Sequence, residues 1–211
     1  MRLAAWMYVV GLSATALACG GGRQYTTVMI PPRLDLGQFE RAALATFTVE
    51  NAKGSLHELA TRRFAEQILQ APQDVEVLEL TGTDAVLRQA GEPAFGPGSA
   101  RAIGAAHDVP VVFAGHLTVS NVKPSGGLSA LGIPHFEATV QVELNVGLYS
   151  TQSGGTLWRA GSTASEKVGQ LAIVRGEPSF SAKDPSAAYG RLVDRLVAVV
   201  SRDLYPTYER R

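Results

Sequence analysis

Cysteine is almost missing from this chain, with one in 211 residues. A single thiol excludes an internal disulfide framework and any Cys-x-x-Cys metal knuckle. An excess of either charge is missing too, since 19 Lys and Arg stand against 19 Asp and Glu. Without a net positive field nothing draws the protein along a phosphate backbone, so nucleic acid is not an expected partner. Charged residues are sparse at 18% and aromatics at 7%, while 45% of the chain is hydrophobic. That balance suits a globular domain and excludes a solvated, disordered chain.

Catalytic patterns are scarce as well. No Gly-x-Ser-x-Gly elbow occurs, and Gly161-Ser-Thr-Ala-Ser165 lacks the second glycine. His57, His107, His116 and His135 never fall three to five residues apart, and His57-Glu58 lacks the second histidine of a helical zinc site. His107 and His116, with Asp108 beside the first, form one pair weighed for a functional role. Gly96-Pro-Gly98 resembles half a phosphate cradle, but Pro97 has no amide to donate and no lysine follows. Glu76 and Glu79 have opposite strand parity. Glu137 and Glu143 share a parity but lie about 20 Å apart along a strand, beyond the ~5–9.5 Å of a glycosidase pair. These patterns predict no cofactor, no metal and no enzymatic activity.

What is present begins at the amino terminus. Arg2 precedes an uncharged run from Leu3 to Ala18 that ends in small residues, followed by Cys19 and Gly20-Gly21-Gly22. A basic start, an apolar stretch and a small-residue end describe an export signal, and the run is short of the roughly 20 residues of a membrane-spanning helix. Ala16-Leu17-Ala18-Cys19 resembles the bacterial lipobox, with Leu displaced by one position. The resemblance implies a lipidated Cys19, and Gly20 after it implies the outer membrane. The organisation expected is a signal peptide over 1–18, a lipidated cysteine and extended tether over 19–37, and one domain over 38–211. The prolines of Tyr25–Gly37 argue against a central strand there.

Ala42–Val49 is almost continuously apolar, as in a strand covered on both faces. Ser55-Leu-His-Glu58 reads as a capping box, opening a helix to about Gln70 with Leu56, Leu59, Ala60, Phe64 and Ile68 on one face. Asp74–Leu80 reads as a strand, Thr83–Leu87 as a brief helix capped by Thr83, and Ser99–Ala106 as a small-residue helix. Pro110–Asn121 opens as a covered strand. From Phe136 to Tyr149 apolar and polar residues alternate without a break, the period-two pattern of a long half-buried strand. Ser150–Gly155 turns the chain, and Thr156–Lys167 returns. Asp184-Pro185 opens a last helix that buries Leu192, Val193, Leu196, Val197 and Val200. Two stretches read as loops with apolar content. Lys123–Pro134 carries Leu128, Leu131 and Ile133, a candidate partner contact, and Gly169–Gly176 is expected to cover the core. The element order predicts an α/β two-layer sandwich, with a mixed sheet of about five strands and helices mainly on its faces.

Three local patterns carry a further resemblance: Arg33-Leu-Asp-Leu36 before the first covered strand, Ala105–Gly115, and Leu148–Trp158 around its turn. Together they resemble the domain shared by the curli secretion channel CsgG, the amino-terminal part of TolB and the lipoprotein activators of penicillin-binding proteins. The resemblance implies an exported accessory domain without catalytic residues. The function expected is a non-enzymatic, protein-binding module of the cell envelope, lipid-anchored at the periplasmic face of the outer membrane and docking on an envelope protein. A homo-oligomer is compatible with this reading. A CsgG-like pore subunit and an envelope hydrolase are the alternatives.

Overall fold

A computed structural model describes residues 26–52, 55–92, 94–120, 123–128, 134–174, 177–182 and 185–210. In chain order the elements are β1 (Thr27–Ile30), β2 (Arg41–Ala45), β3 (Thr48–Glu50), α1 (Leu56–Gln70), β4 (Glu76–Leu80), α2 (Thr83–Ala90), α3 (Pro97–His107) and β5 (Val111–Val119). There follow β6 (Lys123–Leu128), β7 (Pro134–Ser150), β8 (Thr156–Val174), β9 (Glu177–Ala182), α4 (Pro185–Val200), a 3₁₀ turn (Arg202–Leu204) and β10 (Thr207–Arg210).

The main sheet runs β4-β2-β5-β7-β8-β9, with β3 also pairing β5 and β6 also pairing β7. Its β4, β2, β3 and β5 are mutually parallel, whereas β5, β7, β8 and β9 alternate in direction. The chain is therefore an α/β sandwich built on a mixed sheet, the class its sequence predicts. The sheet is wider than the five strands expected because both loop-like insertions pair as strands. Lys123–Leu128 forms β6 against β7, and Gly169–Val174 prolongs β8 against β9. Pro124 is tolerated on β6 because a proline needs no ladder partner for its missing N–H on an edge strand.

Alternation settles which side chains enter the core. Along β7, Val140, Val142, Leu144, Val146 and Leu148 are buried while Gln141, Glu143 and Asn145 are exposed. The buried face meets α1 through Ala60, Phe64 and Ile68, and α4 through Leu192, Val193, Leu196, Val197 and Val200. Phe47, Phe64, Phe113 and Trp158 run through this layer with ring centroids 5.4–6.3 Å apart. The opposite face is covered only in part, by α2 and α3 over Ala43, Ala45, Val112 and Ala114. Gly115 lies within β5 where a Cβ would meet the Phe47 ring at 2.7 Å, so a side chain there has no room.

Two local readings need correction. Ser55 stands at the N-cap of α1 but makes no side-chain cap bond, because its backbone (φ −99°, ψ 25°) is not in the extended region that aims a cap oxygen at the first amides. At α2 the N-cap is Gly82, in a left-handed conformation, and Thr83 is the first helical residue.

The segment read as an extended tether is tied to the body. Thr27–Ile30 pairs antiparallel with Thr207–Arg210, and Pro31-Pro32 follow the strand rather than interrupt it. Beyond them Leu34 and Leu36 are buried. Gln73 holds this junction, since its side-chain amide donates to the Leu34 carbonyl (3.0 Å) and the Leu204 carbonyl (2.9 Å) and accepts from the Leu36 amide. The Leu34 amide donates to the Asp203 carbonyl at 2.9 Å.

Candidate functional site

The residues singled out by sequence are not assembled into one site. Cys19 lies outside the described residues, as do Leu131 and Ile133. Leu128 closes β6 opposite Pro134 of β7. His107 ends α3, and His116 lies in the middle of β5, each beside a different cavity. Glu76 pairs with Arg41 at 3.0 Å, and Glu143 accepts from the Asn145 amide at 2.8 Å. No group of three or more metal-ligating side chains occurs among the described residues.

The glycine turn before α3 has a physical explanation that its sequence conceals. The carboxylate of Glu92 accepts the amides of Gly98 (2.9 Å) and Ser99 (2.8 Å) and the Ser99 hydroxyl. Orphan amides at a helix start attract an anion, and here the chain supplies its own. A Cβ at Gly96 or Gly98 would lie 2.9 Å from that carboxylate, so both glycines make room for it. The Ser99 hydroxyl, followed by its amide, holds the Glu92 carboxyl below the usual glutamate range.

Two clefts carry unspent polar groups. One, of about 370 Å³, opens at the carboxyl ends of the parallel strands β2 and β4, where α/β sheets place ligands. Thr46, His57, Glu58, Arg62, Glu79 and Thr83 line it. Thr83 is buried, and neither its Oγ1 nor Nδ1 of His57 has a hydrogen-bond partner. The other cleft, of about 350 Å³, lies on the part of the sheet that α2 and α3 leave open. Register puts Thr48, His116, Asn145 and Gly161 in one row across β3, β5, β7 and β8. The Thr48 hydroxyl meets His116 Nδ1 at 2.8 Å, and Glu50 stands 3.7 Å from Nε2. Phe95 and Tyr149, 5.2 Å apart, form an aromatic wall beside Arg159. Both clefts offer hydrogen bonds and shape, which suits binding. The sequence names His57, Glu58, Glu79, Thr83 and His116 singly but does not bring them together, because each cleft draws on four or more separate elements.

A third feature is apolar. The large hydrophobic residues exposed among the described residues are Val28, Met29, Leu69, Leu157, Val199 and Tyr208. All but Leu157 belong to the β1–β10 ribbon or to the last turns of α1 and α4. Those places meet, since the Tyr205 hydroxyl donates to the Gln67 carbonyl at 2.7 Å and Gln73 joins Leu34 to Leu204.

No protein-family model matches the chain, and no curated protein matches it. Likeness is found among solved structures alone. The chain is similar to a PelC dodecamer from Paraburkholderia phytofirmans, at 14% identity and a TM-score of 0.40, over 84% of this chain and 98% of that one. It is similar to lipoprotein GNA1162 from Neisseria meningitidis, at 14% identity and a TM-score of 0.42, over 74% and 93%. It is also similar to the LpoB C-terminal domain from Salmonella enterica, at 11% identity and a TM-score of 0.35, over 60% and 83%.

Proposed function

We propose that this chain is an exported lipoprotein of the bacterial cell envelope and serves there as a non-enzymatic binding module. One observation carries the reading: the apolar run Leu3–Ala18 ends in Ala-Leu-Ala-Cys19, and the first strand among the described residues starts at Thr27, only eight positions later. An anchor so close to the body leaves the protein at the membrane with its sheet face and clefts free for a partner. The lipid-anchored, outer-membrane, periplasmic placement belongs to this proposal, as does the organisation into a signal peptide, an anchor cysteine and a single domain. So does the assignment of Leu128, Leu131 and Ile133 to a partner contact. Several acyl chains at about 0.8 kcal/mol per buried methylene make a firm anchor. The test is metabolic labelling with palmitate followed by membrane fractionation. Label on the wild-type chain that is lost in Cys19→Ser, with the variant released into the soluble periplasm, supports the reading, whereas unlabelled wild-type protein in the cytosol overturns it.

A pore subunit is the second reading, favoured by the four-stranded extension in which β7 and β8 reach 17 and 19 residues and are flanked by β6 and β9. Outer strands of six residues fall short of the ~9–11 that cross a bilayer. Channel conductance in planar bilayers and SDS-resistant rings would favour this reading over the first.

A further inference from the structure

We propose that the β1–β10 ribbon end of the molecule lies directly against a phospholipid bilayer, with Met29 and Tyr208 seated at its interface. The inference rests on the lipid-anchor reading and adds to it a protein surface that touches lipid. In the ribbon, residues directly opposite one another share a face. Met29 stands opposite Tyr208, and Thr27 opposite Arg210. Met29 is 59% exposed and Tyr208 65%, the highest values among the apolar residues of the ribbon. A two-stranded ribbon has no third strand or helix to bury such a pair and is marginal alone in water. The main sheet does not supply that cover, because β1 and β10 pair only with each other.

The tether decides which surface does. Thr27 is eight positions beyond Cys19, so even a fully extended chain spans at most about 29 Å. An acylated Cys19 therefore holds the ribbon within about 29 Å of the headgroups at all times, at high effective concentration. The pair is chemically suited to that layer: tyrosine is enriched at membrane–water interfaces, with its ring among the acyl ends and its hydroxyl in water, and methionine fills irregular apolar gaps. Leu69 and Val199, exposed at the adjoining ends of α1 and α4, extend the same apolar end. Isolated exposed apolar residues are ordinary on a protein surface. Met29 and Tyr208 side by side on one ribbon face, with Leu69 and Val199 at the helix ends, are not isolated, while Val28 lies on the other ribbon face opposite Glu209.

The experiment uses the processed, acylated protein, in which Cys19 is blocked and an introduced thiol is unique. Tyr208→Cys, Met29→Cys and Leu157→Cys are each labelled with an environment-sensitive fluorophore. Each is then reconstituted in phosphatidylethanolamine–phosphatidylglycerol vesicles with and without nitroxide lipid. Expected is a loss of at least half the emission at positions 208 and 29 and little change at 157. Acylated protein whose probes at 208 and 29 behave like that at 157 overturns the inference alone. A probe at 208 that is shielded by a second copy and indifferent to nitroxide lipid also overturns it. A mass without acyl groups, read before the vesicles are made, overturns the anchor reading and this inference with it.

Discussion

Single side chains in this protein make commitments that their neighbours in sequence do not reveal. Glu92 is one. Its carboxylate occupies the amino end of α3, so Glu92→Gln should cost about 1 kcal/mol, the usual worth of a helix cap, read as a lower urea midpoint. Because the folded-state pKa of Glu92 is lowered, its stabilisation is present above the ordinary glutamate value of 4.5 and is lost as pH falls below it. The difference between wild type and Glu92→Gln should therefore shrink as the pH is lowered toward 3. Thr83 makes the opposite commitment, holding a buried hydroxyl without a partner. Thr83→Val should leave stability unchanged or raise it by about 1 kcal/mol, since an unsatisfied buried polar atom costs about 1–3 kcal/mol. A clear loss of stability would show instead that the hydroxyl is engaged. Neither role was legible from the residues: Glu92 reaches six and seven positions ahead across a loop, and a threonine at a helix start reads most simply as a cap.

Among the elements, legibility followed the strength of the local pattern. The alternation of β7 and the apolar faces of α1 and α4 were plain because period alone decides which side is buried. By contrast β6 contains Pro124, Gly126 and Gly127, and its strand conformation comes from the neighbouring β7, which no window of its own sequence contains. The ribbon of β1 and β10 joins residues 27 and 210, a separation at which propensity says nothing. The junction below it depends on Gln73. Gln73→Leu should strand the Leu36 amide and the Leu34 and Leu204 carbonyls, at a cost of about 2–6 kcal/mol if two of the three find no replacement. Amide exchange at Leu36 should accelerate more than at Phe64 if the junction opens before the core. Glu166 links another element pair. It receives Arg191 and Arg195 of α4, and Arg191, then Arg195, hold its carboxyl below the usual range. Glu166→Gln should loosen α4 from β8 and bring the two arginines into fast exchange by NMR.

For the whole molecule, the sheet is an open platform with a thick helical layer on one face and a thin, partial one on the other. The class was legible because mixed strand and helix order admits few layerings. The extension of β7 and β8 was not, since Pro and Gly in Lys123–Pro134 and the glycines that bound Gly169–Gly176 read as loops. Val168 is the extra residue where the β7–β8 register shifts between Ala138 and Thr139, and such a bulge bends the strands beyond it. Deleting Val168 should restore an even ladder in which Gly169 still pairs with Ala138, removing the bend, so the expected outcome is a retained fold with a changed melting temperature, read by thermal denaturation. The antiparallel partnership of Thr27 with Arg210 has a consequence for engineering. A gene in which a few glycine codons splice 210 to 27, reopened within the exposed Gln152–Ser153 turn, should encode a re-threaded protein that still melts in one step. In the native order, a reporter fused to the tail would emerge next to the leash.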